Sequence, residues 1–315
     1  MIDICLLGTG GSMPMPYRFL ASSIISYLGR KILIDVGEGT QVAMRILGRG
    51  FKSLDVICIT HCHGDHIIGL TGLLSTIGNS GRLDPITIIG PEGIKKVVEG
   101  LNVINPYLPY QLNIIENPSM DIFMKVDKNG IIICENEKDS NIVISTMKLE
   151  HSSHCIGYSF YYKRNPKFNV EKATNNNVPK VIWNRLQKGE TIELEDRIYT
   201  PNLVLGEERN GIKISYITDT RPIKEAKKFI ENSNLFICEG TYGNDDDIEK
   251  AIKNKHMTFR EAATLAKESS VDRLVLTHFS PAMTNPEEYA KNCLEVHENS
   301  IIGNDGMIIS LNFQE

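Results

Sequence analysis

Short apolar runs recur along the chain, and five of them stop beside a residue able to bind a metal or move a proton. Val56-Ile57-Cys58-Ile59-Thr60 ends at His61, and Ile142 to Leu149 leads to Glu150 and His151. Ile214 to Thr218 ends at Asp219, Leu235 to Cys238 at Glu239, and Leu274 to Thr277 at His278. Runs of this length, rich in β-branched residues and bounded by polar punctuation, predict buried strands. Their alternation with helical stretches predicts an α/β layered domain that builds its site at strand exits. Met1 to Gly8 reads as a first strand, and Gly8-Thr9-Gly10-Gly11-Ser12 as the tight turn behind it. That turn lacks the GxGxxG spacing, and Pro14 and Pro16 oppose a following helix, so it predicts the edge of a site and not a nucleotide cradle. Thr258-Phe259-Arg260-Glu261 has the form of a capping box and starts a helix just after His256.

One stretch breaks the rhythm. Residues 163–188 are polar and irregular, and they read as an arm inserted into a single domain of residues 1–315. Lys163, Arg164, Lys167, Lys172, Lys180, Arg185 and Lys188 face one acid there, Glu171. The whole chain carries a formal charge of -5, so composition alone does not suggest a nucleic-acid partner. The local excess of base does, because a patch that grips a phosphate backbone needs such segregation. Trp183 within it is a candidate either for packing or for stacking on a base.

The 315 residues are 41% hydrophobic and 23% charged, ordinary for a globular chain with a core that needs no staples. Seven cysteines, an odd number at wide spacings without a CxxC pair, argue against a disulfide framework and for a reducing compartment. The N-terminal run lacks the basic flank of a secretory signal, and no apolar run reaches the ~18 residues of a membrane span. These features predict a cytoplasmic protein with no membrane partner.

Candidate chemistry concentrates in His61-Cys62-His63-Gly64-Asp65-His66, which reads H-x-H-x-D-H. This places three of the chain's eight histidines and an aspartate within six residues, side chains suited to zinc and similar ions. Gly64 permits the backbone reversal that turns neighbouring ligands toward one volume. Cys62 alternates with the histidines and should point away from a metal. Four ligands cannot complete two metal shells, so His151, Asp219 and His278 at the other strand exits are the candidates for the rest. His154 competes with His151 but lies farther from its strand, and His297 sits in a polar stretch where solvation is expected.

These residues resemble the metallo-β-lactamase superfamily. More narrowly, the chain resembles the ribonuclease Z family almost from end to end. The resemblance rests on Gly8-Thr9-Gly10, Ile34 to Gln41, the metal loop, His151 with Gly157-Tyr158, and Thr218 to Pro222. It continues through Glu239-Gly240-Thr241, His256-Met257-Thr258 and Thr277 to Pro281. It implies a four-layer αββα sandwich with a projecting basic arm. It implies two zinc ions per chain, one held by His61, His63 and His151 and the other by Asp65, His66 and His278, with Asp219 bridging. Related flavodiiron proteins carry an acid at the place of His63, so this histidine favours zinc. The implied activity is endonucleolytic removal of the 3′ trailer of precursor tRNA by metal-activated hydroxide, leaving a 3′-hydroxyl on the tRNA. Asp65 would orient the nucleophile, His256 would protonate the leaving oxygen, and Glu239 would hold the other nitrogen of His256. A homodimer is implied as well. The alternatives are a general phosphodiesterase or a lactone or ester hydrolase on the same scaffold, or an RNA-binding subunit without catalysis. The Glu239–His256 pair and the basic stretch speak for the nuclease over the small-substrate enzymes.

Overall fold

A computed structural model of the chain describes every residue except Glu315. The chain divides into two compact units, Met1–Tyr162 with Ile212–Gln314, and Lys163–Gly211. The larger unit is built on two sheets. The first runs β17 (Ile308–Leu311), β1 (Ile2–Gly8), β2 (Ser22–Tyr27), β3 (Arg30–Ile34), β4 (Leu54–Cys58), β5 (Ile86–Gly90) and β6 (Leu112–Glu116). The second runs β16 (Ser300–Ile302), β15 (Leu274–Thr277), β14 (Leu235–Glu239), β13 (Arg209–Ile217), β10 (Ile156–Arg164), β9 (Ile142–Lys148), β7 (Ile122–Asp127) and β8 (Gly130–Ile133).

Period-two alternation splits each buried strand between two cores. In β1, Ile2, Ile4 and Leu6 enter the core between the sheets, while Cys5 and Leu7 face the opposite side. In β14, Leu235 and Ile237 join that central core, and Phe236 and Cys238 turn outward. Strands buried on both faces explain why the sequence shows continuous apolar runs. Helices α1 (Thr40–Ile46), α2 (Gly64–Ile67), α3 (Leu70–Asn79) and α4 (Ile94–Leu101) cover the first sheet through Met44, Ile67, Leu73, Ile77 and Val98. On the second sheet Ala226, Ile230, Ala262, Ala266 and Cys293 come from three further helices, named below. The result is the expected αββα sandwich. Tyr158 of β10 crosses between the sheets and places its single hydroxyl proton between the carbonyls of Ile59 (2.7 Å) and Ile89 (3.0 Å).

Both sheets contain a parallel block, β3 to β6 and β13 to β16, whose C-terminal ends deliver most of the candidate site, while His151 follows the antiparallel strand β9. The smaller unit is more ordered than its polar sequence suggests. It contains α5 (Val170–Asn175), α6 (Trp183–Gln187) and the hairpin β11 (Ile192–Leu194) with β12 (Arg197–Tyr199). Ala173, Val178, Ile182 and Leu186 from 163–188 share a small core with Ile192, Tyr199 and Val204. The helices on the second sheet are α7 (Lys224–Ile230), α9 (Phe259–Glu268) and α10 (Ala290–Leu294), with α8 (Ile248–Asn254) preceding α9. No helix among the described residues is long and apolar enough to cross a membrane.

Candidate metal centre

Three strands that border the site end in a sharp change of direction. Asp35 after β3, Asp219 after β13 and His278 after β15 have φ of 57°, 53° and 57°, a left-handed conformation that costs an L-residue about 1–2 kcal/mol. Such backbone strain persists where surrounding contacts over-determine it, and it turns these side chains into one volume. The metal loop follows β4. His61 is buried, His63 is the N-cap of α2, and Asp65 and His66 lie on that single helical turn. Gly11 from the first turn packs beneath the His278 ring, where a Cβ would lie 2.4 Å from its Cε1, so this position requires glycine.

The side chains gather into two adjoining groups. His61, His63 and His151 present ligand atoms within 4.8 Å of one another, and so do Asp65, His66 and His278. Asp219 faces both with different oxygens. Its Oδ1 lies 4.0 Å from His61 Nε2 and 3.9 Å from His151 Nε2. Its Oδ2 lies 3.2 Å from His66 Nε2 and 3.3 Å from His278 Nε2. A carboxylate so placed has the geometry of a bridge between two cations.

Hydrogen-bond bookkeeping tests whether the groups fit a metal. The Nδ1 of His66 donates to Asp35 Oδ2 at 2.8 Å, which leaves its Nε2 as a lone pair. Thr241 Oγ1 donates to Glu239 Oε2 at 2.7 Å, so it accepts from His278 Nδ1 at 3.2 Å. The Nε2 of His278 is therefore a lone pair too, and it lies 3.1 Å from that of His66. Asp65 Oδ2 is 3.4 Å from each of these nitrogens. Thr60 Oγ1 donates to Asp35 and accepts from His61 Nδ1 at 3.2 Å, so the Nε2 of His61 faces His63 Nδ1 at 3.0 Å as an acceptor. With His66 and His278 each singly protonated, their Nε2 atoms and Asp65 Oδ2 converge with no hydrogen between them, an arrangement that a cation satisfies. The protonation balance shows what a cation would displace. Burial opposes charge on His66, yet Asp219 and Asp35 outweigh it and hold its pKa well above the usual range, so without a cation a second proton takes the Nε2 lone pair. Burial, with His66 beside it, holds His61 well below.

A second constellation adjoins the first. Glu239 at the end of β14 is fully buried and accepts from the backbone N–H groups of Thr220 (2.6 Å) and Met257 (3.0 Å). It holds His256 Nδ1 at 3.1 Å. The capping box at the start of α9 is present, with Thr258 and Glu261 bonded reciprocally. Burial disfavours charge on the His256 ring, but Glu239 and Asp219 prevail and raise its pKa to about 9. A pocket of about 470 Å³ opens on both constellations, lined by Ser12, His63, Asp65, His151, Asp219 and His256 among others.

The remaining sequence candidates fall elsewhere. Cys62 packs with the core under the first sheet, and burial pushes its thiol up to about 11. His154 is exposed and pairs with Glu92 at 3.6 Å, outside the cluster. His297, expected to be solvated, is half-buried and bonded to the Val271 carbonyl at 2.9 Å. In the smaller unit Trp183 packs on Phe168 and donates Nε1 to the Val178 carbonyl, a packing role. Of the arm bases, Lys163 and Arg164 are half-buried, whereas Lys167 and Lys188 are exposed. Lys172 is also exposed and reaches the Leu205 carbonyl, Lys180 lies over the Trp183 ring, and Arg185 pairs with Glu190 at 2.7 Å. Sequence reasoning missed Asp35, Thr60 and Thr241 as partners of the candidate ligand histidines. Asp35 stands where an apolar strand ends, the signal that marked the others.

Comparison with known proteins agrees with this geometry. Residues 169–279 match the family model described as a beta-lactamase superfamily domain, and residues 2–100 match that of the anti-Pycsar protein Apyc1. Among solved structures, the short form of human tRNase Z is 25% identical with a TM-score of 0.68, over 98% of this chain and 99% of its own. Fold and site together define a metal-dependent hydrolase of the metallo-β-lactamase class. Curated relatives narrow this. Ribonuclease Z of Clostridium beijerinckii is 61% identical over 100% of both chains, and that of Clostridium botulinum 58% identical over 99% of both. The chain belongs to the ribonuclease Z family.

Proposed function

We propose that this chain is a zinc-dependent endoribonuclease that removes the 3′ trailer from precursor tRNA and leaves a 3′-hydroxyl on the tRNA. The observation that carries this reading is the pairing of a two-sided metal cluster with the adjacent Glu239–His256 couple, in a chain of this family. His61, His63 and His151 would hold one zinc, Asp65, His66 and His278 the other, and the two oxygens of Asp219 would span them. Bound there, zinc supplies Lewis acidity toward the phosphodiester and a water pKa lowered to about 7.

The chain's own groups do the rest. Asp65 Oδ2 is fixed by the Ser12 N–H at 2.6 Å, so the carboxylate is set to orient the attacking water and accept its proton. Attack on phosphorus breaks the bond to the ribose 3′-oxygen, and the phosphate stays on the trailer. The departing oxygen needs a proton. His256 is placed to give one from Nε2, because Glu239 engages its Nδ1. The exposed bases of residues 163–188 would hold the body of the tRNA. All seven cysteines are free thiols, which supports a cytoplasmic location, and the family resemblance supports a homodimer. The test is to incubate the purified, metal-loaded protein with end-labelled precursor tRNA and map the products. A 3′-hydroxyl at the mature end and about two zinc per chain by elemental analysis are expected. A trailer left intact under zinc-replete conditions overturns the reading.

A further inference from the structure

The pocket over the metal cluster has a cationic rim that the proposed chemistry leaves unused. Lys253 and Lys255 line it beside His151 and His256. Both stand where α8 ends. Lys255 is its C-cap, with φ 58°, a position where glycine or asparagine is the usual choice. The lysine there bears strain that glycine would avoid. Its Nζ lies 3.3 Å from the carbonyl of His151, a ligand candidate.

The surrounding ion pairs sharpen the point. On the same segment Lys250 pairs with Asp247 and Arg260 with Asp245, each at 2.6 Å. Among the described residues, neither Lys253 nor Lys255 pairs with a carboxylate. Two ammonium groups that pair with no carboxylate, beside a site for dications, repel a bound cation, and a polyanion between them offsets that repulsion. The scissile phosphodiester belongs at the metals. A cation at the rim is placed for a different phosphate of the same strand.

We propose that Lys255, assisted by Lys253, binds a backbone phosphate neighbouring the scissile one and so positions the RNA strand in the pocket. The proposal rests on the reading of the substrate as RNA. Lys255 is then a positioning residue, and its His151 contact ties the phosphate grip to the ligand loop.

The test is steady-state cleavage of precursor tRNA by the zinc-loaded protein across about 50–200 mM KCl. Lys255→Gly keeps a backbone suited to the left-handed position. It should raise KM about tenfold, more than it lowers kcat. The slope of log(kcat/KM) against log[KCl] should become shallower by about 0.7, the loss of one phosphate contact on a single strand. Lys255→Arg should restore the slope, zinc per chain should not change, and Lys253→Ala should act in the same direction more weakly. An unchanged slope in Lys255→Gly overturns the proposal. So does zinc loss with an unchanged slope, which would make the lysine a brace for the His151 loop alone. If Lys255→Gly does not fold, Lys255→Gln and Lys253→Ala are read by the same slope. A wild-type protein that leaves precursor tRNA uncut defeats the functional reading itself, an outcome distinct from a normal wild type with insensitive variants.

Discussion

Asp35 offers the sharpest test of how the cluster is tuned. It touches no substrate pocket. It is fully buried, accepts from the Thr60 N–H at 2.7 Å and from His66 Nδ1 at 2.8 Å, and thereby directs a lone pair of His66 inward. Burial pushes its carboxyl up, and His66 and Thr60 offset this only in part. Asp35→Asn changes the volume little but replaces one acceptor oxygen by an NH2 donor. If the amide oxygen stays on Thr60, the NH2 faces His66 Nδ1, which must then accept. The ring proton moves to Nε2 and points into the cluster, where a metal would sit. If the amide flips, its NH2 meets the Thr60 N–H donor instead, and a buried bond is lost. Either arrangement penalises the metal-bound state. Losing such an outer partner of a ligand histidine costs ~10–100-fold in metal affinity. That range corresponds to about 1.4–2.7 kcal/mol. The assay is competition for zinc against a chromophoric chelator of known affinity, on wild type, Asp35→Asn and Thr60→Val. Thr60→Val keeps the carboxylate on His66 but leaves His61 Nδ1 without its hydroxyl acceptor, so it should weaken zinc through the His61 side of the cluster. Zinc affinity of Asp35→Asn within about twofold of wild type, in a protein that unfolds normally, would falsify the claim that Asp35 sets the His66 tautomer.

Much of this site was legible because strands buried on both faces write themselves as apolar runs. The polar residue that ends each run, as at His61, Asp219 and His278, then stands out. Asp35 follows the same rule yet carries no second signal. Its role depends on the ring of His66, which reaches it from another strand exit. The left-handed turns at Asp35, Asp219 and His278 were not legible either, since glycine is the residue that announces such a turn. Local pattern also fails in very short elements. α2 has four residues, α6 five and α5 six, too few for a helical period to show. In 163–188 the apolar residues Ala173, Val178, Ile182 and Leu186 find their partners at Ile192, Tyr199 and Val204, beyond the stretch that looks polar. His297 was misplaced for a related reason: its partner is a carbonyl at Val271, in a different part of the chain.

Three further outcomes follow from the site and the arm. Asp65→Ala should abolish cleavage, while the metal-free protein unfolds at nearly the wild-type temperature, because the side chain lines the pocket and belongs to no hydrophobic core; a folded variant with full activity would remove Asp65 from the mechanism. His256→Ala should slow cleavage by about 10²–10⁴-fold with zinc content retained, and loss of zinc would instead mark His256 as a ligand. The arm is best tested by charge and not by deletion. Removing residues 163–188 would strip Ile192, Tyr199 and Val204 of their packing, so a collapse in activity would say nothing about RNA. Lys167, Lys172 and Lys188 are exposed and pair with no carboxylate among the described residues, whereas Arg185 is engaged by Glu190. Replacing the three lysines by glutamine leaves the small core intact and removes charge, together with the Lys172 bond to the Leu205 carbonyl. If each contacts a phosphate of the tRNA body, each loss should flatten the salt dependence of kcat/KM by about 0.9, and the three together should add. Hydrolysis of a small aryl phosphodiester has no tRNA body to lose and should proceed at the wild-type rate. An equal fall on both substrates would mean that these lysines support the metal domain in some other way, and that the excess of base in this acidic chain is a solvated face.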